Sequence, residues 1–312
     1  FTTWLGAGFG GDEWNDYWDE RYHLQDVLDN YNGSVYIVWG MQDWNVDPYH
    51  AFPTHELLRQ QGINVRTIAG QWAHNYPDQP DRHSEVTSGY GAEAYPNMTR
   101  FDWAVELFPW FEYYLKGIGD EPESYVQMQR NDGRWHIEET WPPEDVYGEI
   151  WGFDTFPGEW VSSTSGGFVK TIPIPGDSPI HISGLPTLHV DVSTGLCNGG
   201  QLFVTMKDGE SGLRLGHATM DVRYRDGGYE SKATSSLSSY RMLMEFNPMD
   251  VVVSSGWLTL EFTESGEDYI PSPCAASGLF VERVELYLPL IDREENHEAW
   301  FDVPPWWEVQ EM

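Results

Sequence analysis

Asp43 and His74 stand 31 residues apart, and each follows a short run, rich in β-branched residues, that ends at glycine. The first run is Ser34-Val35-Tyr36-Ile37-Val38-Trp39, closed by Gly40. The second is Asn64-Val65-Arg66-Thr67-Ile68-Ala69, closed by Gly70. A carboxylate that accepts the Nδ1–H of an imidazole fixes the ring's tautomer and stabilises the imidazolium. Nε2 is then left to take the proton of a hydroxyl nucleophile. An Asp and a His can do this chemistry only if the fold brings two loops together.

The elements that would do so are legible in the pattern. Both runs read as buried strands. A helix should lie between them, from about Pro53 through Leu57 and Leu58 to a stop at Gly62. A longer helix is expected over roughly 101–116, where Trp103, Leu107, Trp110, Phe111 and Tyr114 recur at helical spacing before Lys116-Gly117. Strand, helix, strand, helix is one crossover unit of a parallel sheet. Catalytic groups of such sheets gather in loops beyond the carboxyl ends of the strands, where Asp43 and His74 would both sit. Acid before histidine is also the chain order of an α/β-hydrolase triad. After Trp141-Pro142-Pro143 the character changes. Short alternating runs such as Thr187–Val192, Gln201–Met206, Trp257–Phe262 and Val281–Leu288 follow one another without helices, which argues an all-β sandwich. The fold class expected is α/β plus all-β, with residues 1–148 as one domain and 149–312 as the other.

Each candidate has a plainer reading. A strand-end Asp often caps a helix or a turn. Asp47 is the competing carboxylate, better placed as an N-terminal helix residue before Pro48. His50 and His55 are five apart and share no helix face, so no metal pair is read. His83, beside Asp81 and Arg82, reads as a solvated loop residue. Trp44 and Trp72 flank the Asp–His pair; lining a substrate pocket and packing in the core are equally open to them. Cys197 and Cys274 lie in Gly/Ser/Pro-rich sequence, where a disulfide or two separate thiols would both fit.

Charge excludes some functions. Fifty acidic residues face 17 basic ones, a net charge of −33, and the only lysines are Lys116, Lys170, Lys207 and Lys232. The acidic residues are dispersed, so the whole surface has one sign and repels nucleic acid and anionic lipid. In molar salt the screening length falls to about 3 Å, which suits such a surface to strong brine. No run of 18 apolar residues exists to span a membrane. The location expected is extracellular or cell-surface, in a halophile.

Further stretches carry a family resemblance. They are Tyr17-Trp18-Asp19-Glu20-Arg21, the loop Gly40-x-x-Asp43-Trp44-Asn45-Val46, and Gly70-Gln71-Trp72-Ala73-His74. Phe111-x-x-Tyr114-Leu115-Lys116-Gly117, Asp132-Gly133-x-Trp135, Trp141-Pro142-Pro143, Ser183-Gly184-Leu185-Pro186 and Gly216-His217-Ala218 follow in order. With them the chain resembles the X-prolyl dipeptidyl-peptidase and bacterial cocaine esterase family of serine α/β-hydrolases. The resemblance implies that Asp43 and His74 are the triad acid and base. It also implies that residues 1–148 are the C-terminal portion of the hydrolase domain, beginning with the tail of its cap, and that 149–312 are a jelly-roll. No cofactor is implied. The family's Gly-x-Ser-x-x-Gly nucleophile elbow belongs upstream of these residues, and no serine here sits in a Gly-x-Ser-x-Gly setting. The expectation is that an upstream segment or a separate chain supplies the serine, and that this chain alone is inactive. Substrates expected are small peptides, amides or esters; homo-oligomerisation stays open. The alternative class is a noncatalytic structural or carbohydrate- or surface-binding protein that retains a hydrolase remnant and a jelly-roll.

Overall fold

The computed structural model describes residues 15–43, 46, 48–74, 76–78, 100–174, 179–227, 231–266, 269, 271–293 and 300–301, of which 50, 156, 157, 300 and 301 are described in the backbone only. They are mostly β, in several sheets, and divide into two compact units. Among the described residues, one unit holds those of His23–Val146 with Asp250–Val252 and those from Ile291; the other holds those of Tyr147–Met249 and Val253–Leu290 together with those up to Tyr22.

A short helix α1 (Asp16–Asp19) precedes α2 (Leu24–Asn30), β1 (Val35–Gly40), α3 (Ala51–Gln60), β2 (Val65–Gly70) and α4 (Trp103–Lys116). β1 and β2 run parallel in the register Val35↔Val65 to Gly40↔Gly70, so the two runs end side by side. α3 begins before Pro53, after a 3₁₀ turn over Pro48–His50. Pro53 still lies in the first helical turn, where its missing N–H leaves no bond unmade. Gly117 closes α4 in the left-handed conformation, φ 67°, with its N–H on the carbonyls of Glu112 and Tyr113.

Three further strands join this sheet where no strand was expected, the last a two-residue strand at Trp300–Phe301 on its far edge. β3 (Tyr125–Gln129) pairs parallel with β2, and β4 (Trp135–Glu138) pairs antiparallel with β3. The run Tyr-Val-Gln-Met-Gln looks half polar, yet Gln127 and Gln129 are buried and hydrogen-bonded, so amphipathic alternation was the wrong guide. β2, between β1 and β3, is buried along its whole length, as a central parallel strand must be.

The other unit contains β5 (Tyr147–Val161), β6 (Phe168–Pro173), β7 (Ile180–Gly184), β8 (Thr187–Thr194), β9 (Gln201–Asp208), β10 (Arg214–Asp221) and β11 (Ser239–Glu245). Within β12 (Met249–Val253) the membership changes, and β13 (Trp257–Thr263) and β14 (Leu279–Ile291) follow. One antiparallel sheet runs β10-β9-β13-β6. In another, β14 lies between β5 and β8, and β8 pairs onward with β11. Alternation decides which side faces inward: Leu188, Val190 and Val192 of β8, and Leu258, Leu260 and Phe262 of β13, are fully buried. Each contributes about 1.5–3 kcal/mol by leaving water. Phe262 stacks on Phe168 of its own sheet and meets Phe153 of β5 edge-on at 6.5 Å, so the two sheets bury their inner faces against each other. Among the described residues no helix is long and apolar enough to cross a membrane.

Cys197 and Cys274 are joined in a disulfide that ties residues 77 apart, with Cα atoms 5.6 Å from one another. A crosslink closing so long a loop stabilises mainly by restricting the unfolded chain. Replacing both cysteines by serine should therefore lower the unfolding free energy by about 2–4 kcal/mol in a urea titration. An unchanged midpoint would show that the bond contributes nothing.

Candidate active site

The glycines that end β1 and β2 permit the site. A Cβ on Gly40 would lie 2.5 Å from the Trp72 carbonyl oxygen, and one on Gly70 would fall 1.8 Å from the Trp72 ring. With no side chains there, the two loops approach closely. Met41 N–H donates to the Gly70 carbonyl at 2.8 Å and Gln42 N–H to the Trp72 carbonyl at 3.1 Å. The chain then turns at Asp43, whose N–H returns to the Gly40 carbonyl at 3.1 Å.

Asp43 and His74 meet across this junction. His74 Nδ1 lies 2.7 Å from Asp43 Oδ2, while Asp43 Oδ1 accepts the Val46 N–H at 2.9 Å. The Asp43 side chain is 10% exposed and that of His74 is 55% exposed. The carboxylate is thus sheltered, and the far edge of the imidazole opens outward. Beside the pair is a cleft of about 570 Å³, lined among others by Trp39, Asp43, His74, Tyr76 and Trp103. A buried acceptor behind an open imidazole can set the ring's tautomer and stabilise its protonated form while Nε2 exchanges a proton.

The remaining candidates are placed as follows. Trp72 borders the cleft, but its ring is 1% exposed and packs with Ile68 and Trp135 in the sheet's core. Trp44, Asp47 and His83, and the side chain of His50, lie outside the described residues. His55 is buried on α3 with Nδ1 2.8 Å from Thr67 Oγ1, and burial lowers its pKa to about 4, so it is neutral at ordinary pH. Sequence reasoning missed two features. Tyr76 and Trp103 stack at 6.1 Å beside the cleft. Gln42, Gln71 and Gln129 form a buried amide chain behind the pair. Three glutamines on separate elements leave no sequence signal; Trp103, as the first residue of a helix following the histidine loop, could have suggested the first.

The same unit holds a buried ionic cluster. His136 is fully buried, with Nδ1 2.6 Å from Glu138 Oε1 and Nε2 2.9 Å from Asp250 Oδ2. Trp141 Nε1 also donates to Asp250, and Arg293 binds both Glu138 and Asp145. Burial alone would depress the pKa of His136, but Asp250 and Glu138 outweigh it and push it up to about 9.

The strand pair presents Asp43 and His74 at its carboxyl end beside the cleft, where open α/β sheets gather their ligand-binding loops. Comparison with known proteins gives the particular relatives. Over 131 residues, 41% of this chain, the sequence is 28% identical to a Bacillus anthracis protein named for Xaa-Pro dipeptidyl-peptidase activity, covering 18% of that protein. It is 23% identical over 133 residues to the Xaa-Pro dipeptidyl-peptidase of Lactiplantibacillus plantarum, 41% of this chain and 14% of that one. No protein-family profile matches the chain. Among solved structures, an aminopeptidase from a marine sediment Thaumarchaeota archaeon superposes with a TM-score of 0.65 at 14% identity, over 93% of this chain and 60% of its own. An α-amino acid ester hydrolase gives 0.61 at 14% identity, over 92% and 60%. A CocE/NonD family hydrolase from Staphylococcus aureus gives 0.57 at 11%, over 93% and 59%. The resemblance to the X-prolyl dipeptidyl-peptidase and cocaine esterase family therefore holds in sequence and in fold. The chain spans about 60% of the solved relatives' length, and the matched stretch under a fifth of the curated ones.

Proposed function

We propose that this chain is the C-terminal part of a serine hydrolase acting on peptide, amide or ester bonds. Asp43 and His74 serve as the acid and base of its triad, and a segment upstream of Phe1 or a separate chain supplies the serine. The observation that carries this reading is the 2.7 Å contact between His74 Nδ1 and a sheltered Asp43 at the ends of neighbouring parallel strands. In the reaction His74 Nε2 takes the serine proton as the oxygen attacks the acyl carbon, then delivers it to the leaving amine or alcohol. Asp43 stays ionised and stabilises the imidazolium. Residues 149–312, with their antiparallel sheets, are read as a jelly-roll appended to residues 1–148.

Two surface features support an added segment. β1 is an edge strand of its sheet among the described residues, and edge strands invite a further strand. Val105, Phe108, Phe111 and Leu115 are exposed along α4, an apolar stripe suited to being covered. Co-expressing the upstream segment should give a stable complex that hydrolyses an activated ester, such as a p-nitrophenyl acyl ester. A complex that forms without hydrolysis would favour the noncatalytic structural or surface-binding alternative.

The setting proposed is extracellular or cell-surface, in brine, from the −33 charge and the disulfide. Thermal stability should then rise by several degrees between low and molar sodium chloride as surface repulsion is screened. A melting temperature that is flat or falls would remove that setting.

A further inference from the structure

The bonds behind the Asp–His pair form a continuous chain of amides. Gln42, Gln71 and Gln129 are each no more than 3% exposed. The Gln71 amide N–H group donates to two carbonyls, Gln129 at 2.8 Å and Asp250 at 3.1 Å. Carbonyls cannot donate, so these two acceptors fix which end of the Gln71 amide is nitrogen. Its oxygen must then face the other way, where it accepts from Gln42 Nε2 at 3.0 Å. Gln71 N–H is itself held by Gln129 Oε1 at 3.0 Å. Gln42 immediately precedes Asp43, and Gln71 stands three residues before His74. One buried side chain thus joins the aspartate loop, the histidine loop and β3.

We propose that Gln71 is a positioning residue that holds these two loops in register, with Gln42 as its partner, so that the Asp43 carboxylate meets Nδ1 of His74 in line. The proposal rests on the triad reading above. Backbone bonds from Met41 to Gly70 and from Gln42 to Trp72 hold the loops at their bases, and the amide bridge adds a buried side-chain tie between them. Buried amides that lose their partners carry a full desolvation cost, so removing one member of the bridge should disturb the others.

The test reads the tautomer of His74 directly. In the protein labelled with ¹⁵N-histidine, long-range ¹H–¹⁵N correlations to the ring carbon protons report whether the neutral imidazole carries its proton on Nδ1 or Nε2. His74→Gln assigns the signals. The wild type should show the Nδ1–H tautomer that Asp43 imposes. Gln71→Met, similar in volume but without the amide, should shift it to a mixture. In the active complex with the upstream segment, the same change should lower kcat about 10- to 100-fold, as for misplacement of a reacting group by about 1 Å, with KM within about twofold. Gln42→Leu removes a single bond of the bridge and should shift the tautomer in the same direction; it decides the matter if Gln71→Met does not fold. A wild-type His74 without the Nδ1–H form would end the triad reading and this proposal together. Wild-type Nδ1–H with both variants unchanged would end the positioning role alone.

Discussion

His74→Ala in the complete hydrolase should lower kcat by about 10⁴- to 10⁶-fold, the range for removing the base of a serine triad. Asp43→Asn should cost about 10⁴-fold for a different reason. The amide can present its N–H group to Nδ1, which favours the tautomer with the proton on Nε2, the nitrogen that must accept the serine's proton. Neither change should much alter the melting temperature, because His74 is largely exposed and asparagine keeps the shape of Asp43. Steady-state hydrolysis of an activated ester, beside a thermal melt, measures both. Because residues of a triad act as a unit, the double variant should be hardly slower than His74→Ala alone. Activity that survives His74→Ala would sink the proposed function, whatever the distance between the two side chains.

The second large effect concerns stability. Asp250→Ala should cost about 3–5 kcal/mol, because it removes one of the two carboxylates that hold the buried His136 charge. His136 has no exposed surface and Asp250 none either, so water cannot compensate. The pH dependence follows from the directions of the shifts. The folded-state pKa of His136 is about 9, above the ordinary 6.5, so its contribution is complete below about pH 6.5 and is lost as pH rises through 9. The shift corresponds to stability on the order of 3 kcal/mol. Glu138 behaves oppositely: burial opposes its charged form, but His136 and Arg293 outweigh that and hold its pKa below the usual range. Its contribution is therefore present above the ordinary carboxylate pKa and lost as pH falls through the lowered one. Urea denaturation across pH should show a plateau between these limits, with the alkaline shoulder missing from Asp250→Ala. A shoulder that persists in the variant would show that another group sets it.

The sequence by itself determined the parts of this protein that local rules govern. β1 and β2 were legible as short runs rich in β-branched residues whose closing glycines marked where the loops begin, but only β2 is buried throughout; β1, at the sheet's edge, is half-buried rather than the buried strand expected. α4 was legible from aromatic residues at helical spacing and from Gly117, whose left-handed conformation few other residues adopt at so little cost. The β8, β9, β13 and β14 runs showed themselves by apolar alternation or continuity. Asp43 and His74 were legible as a pair because β1 and β2 are neighbours, so their strand-end residues emerge side by side. Only the tertiary structure decided what depends on partners distant in the chain. β3 hides its identity because Gln127 and Gln129 are polar residues whose burial is paid by amide and carboxylate partners elsewhere. His136 and Asp250, 114 residues apart, carry no mutual signal in the sequence, since the strength of an ion pair arises from the burial that the fold creates. Trp72 could have faced the cleft or the core, and its ring packs in the core against Trp135 of β4, because Gly70 has no side chain where the ring lies. Periodicity records which way a side chain points from its own element; only the assembled sheet determines what it meets there.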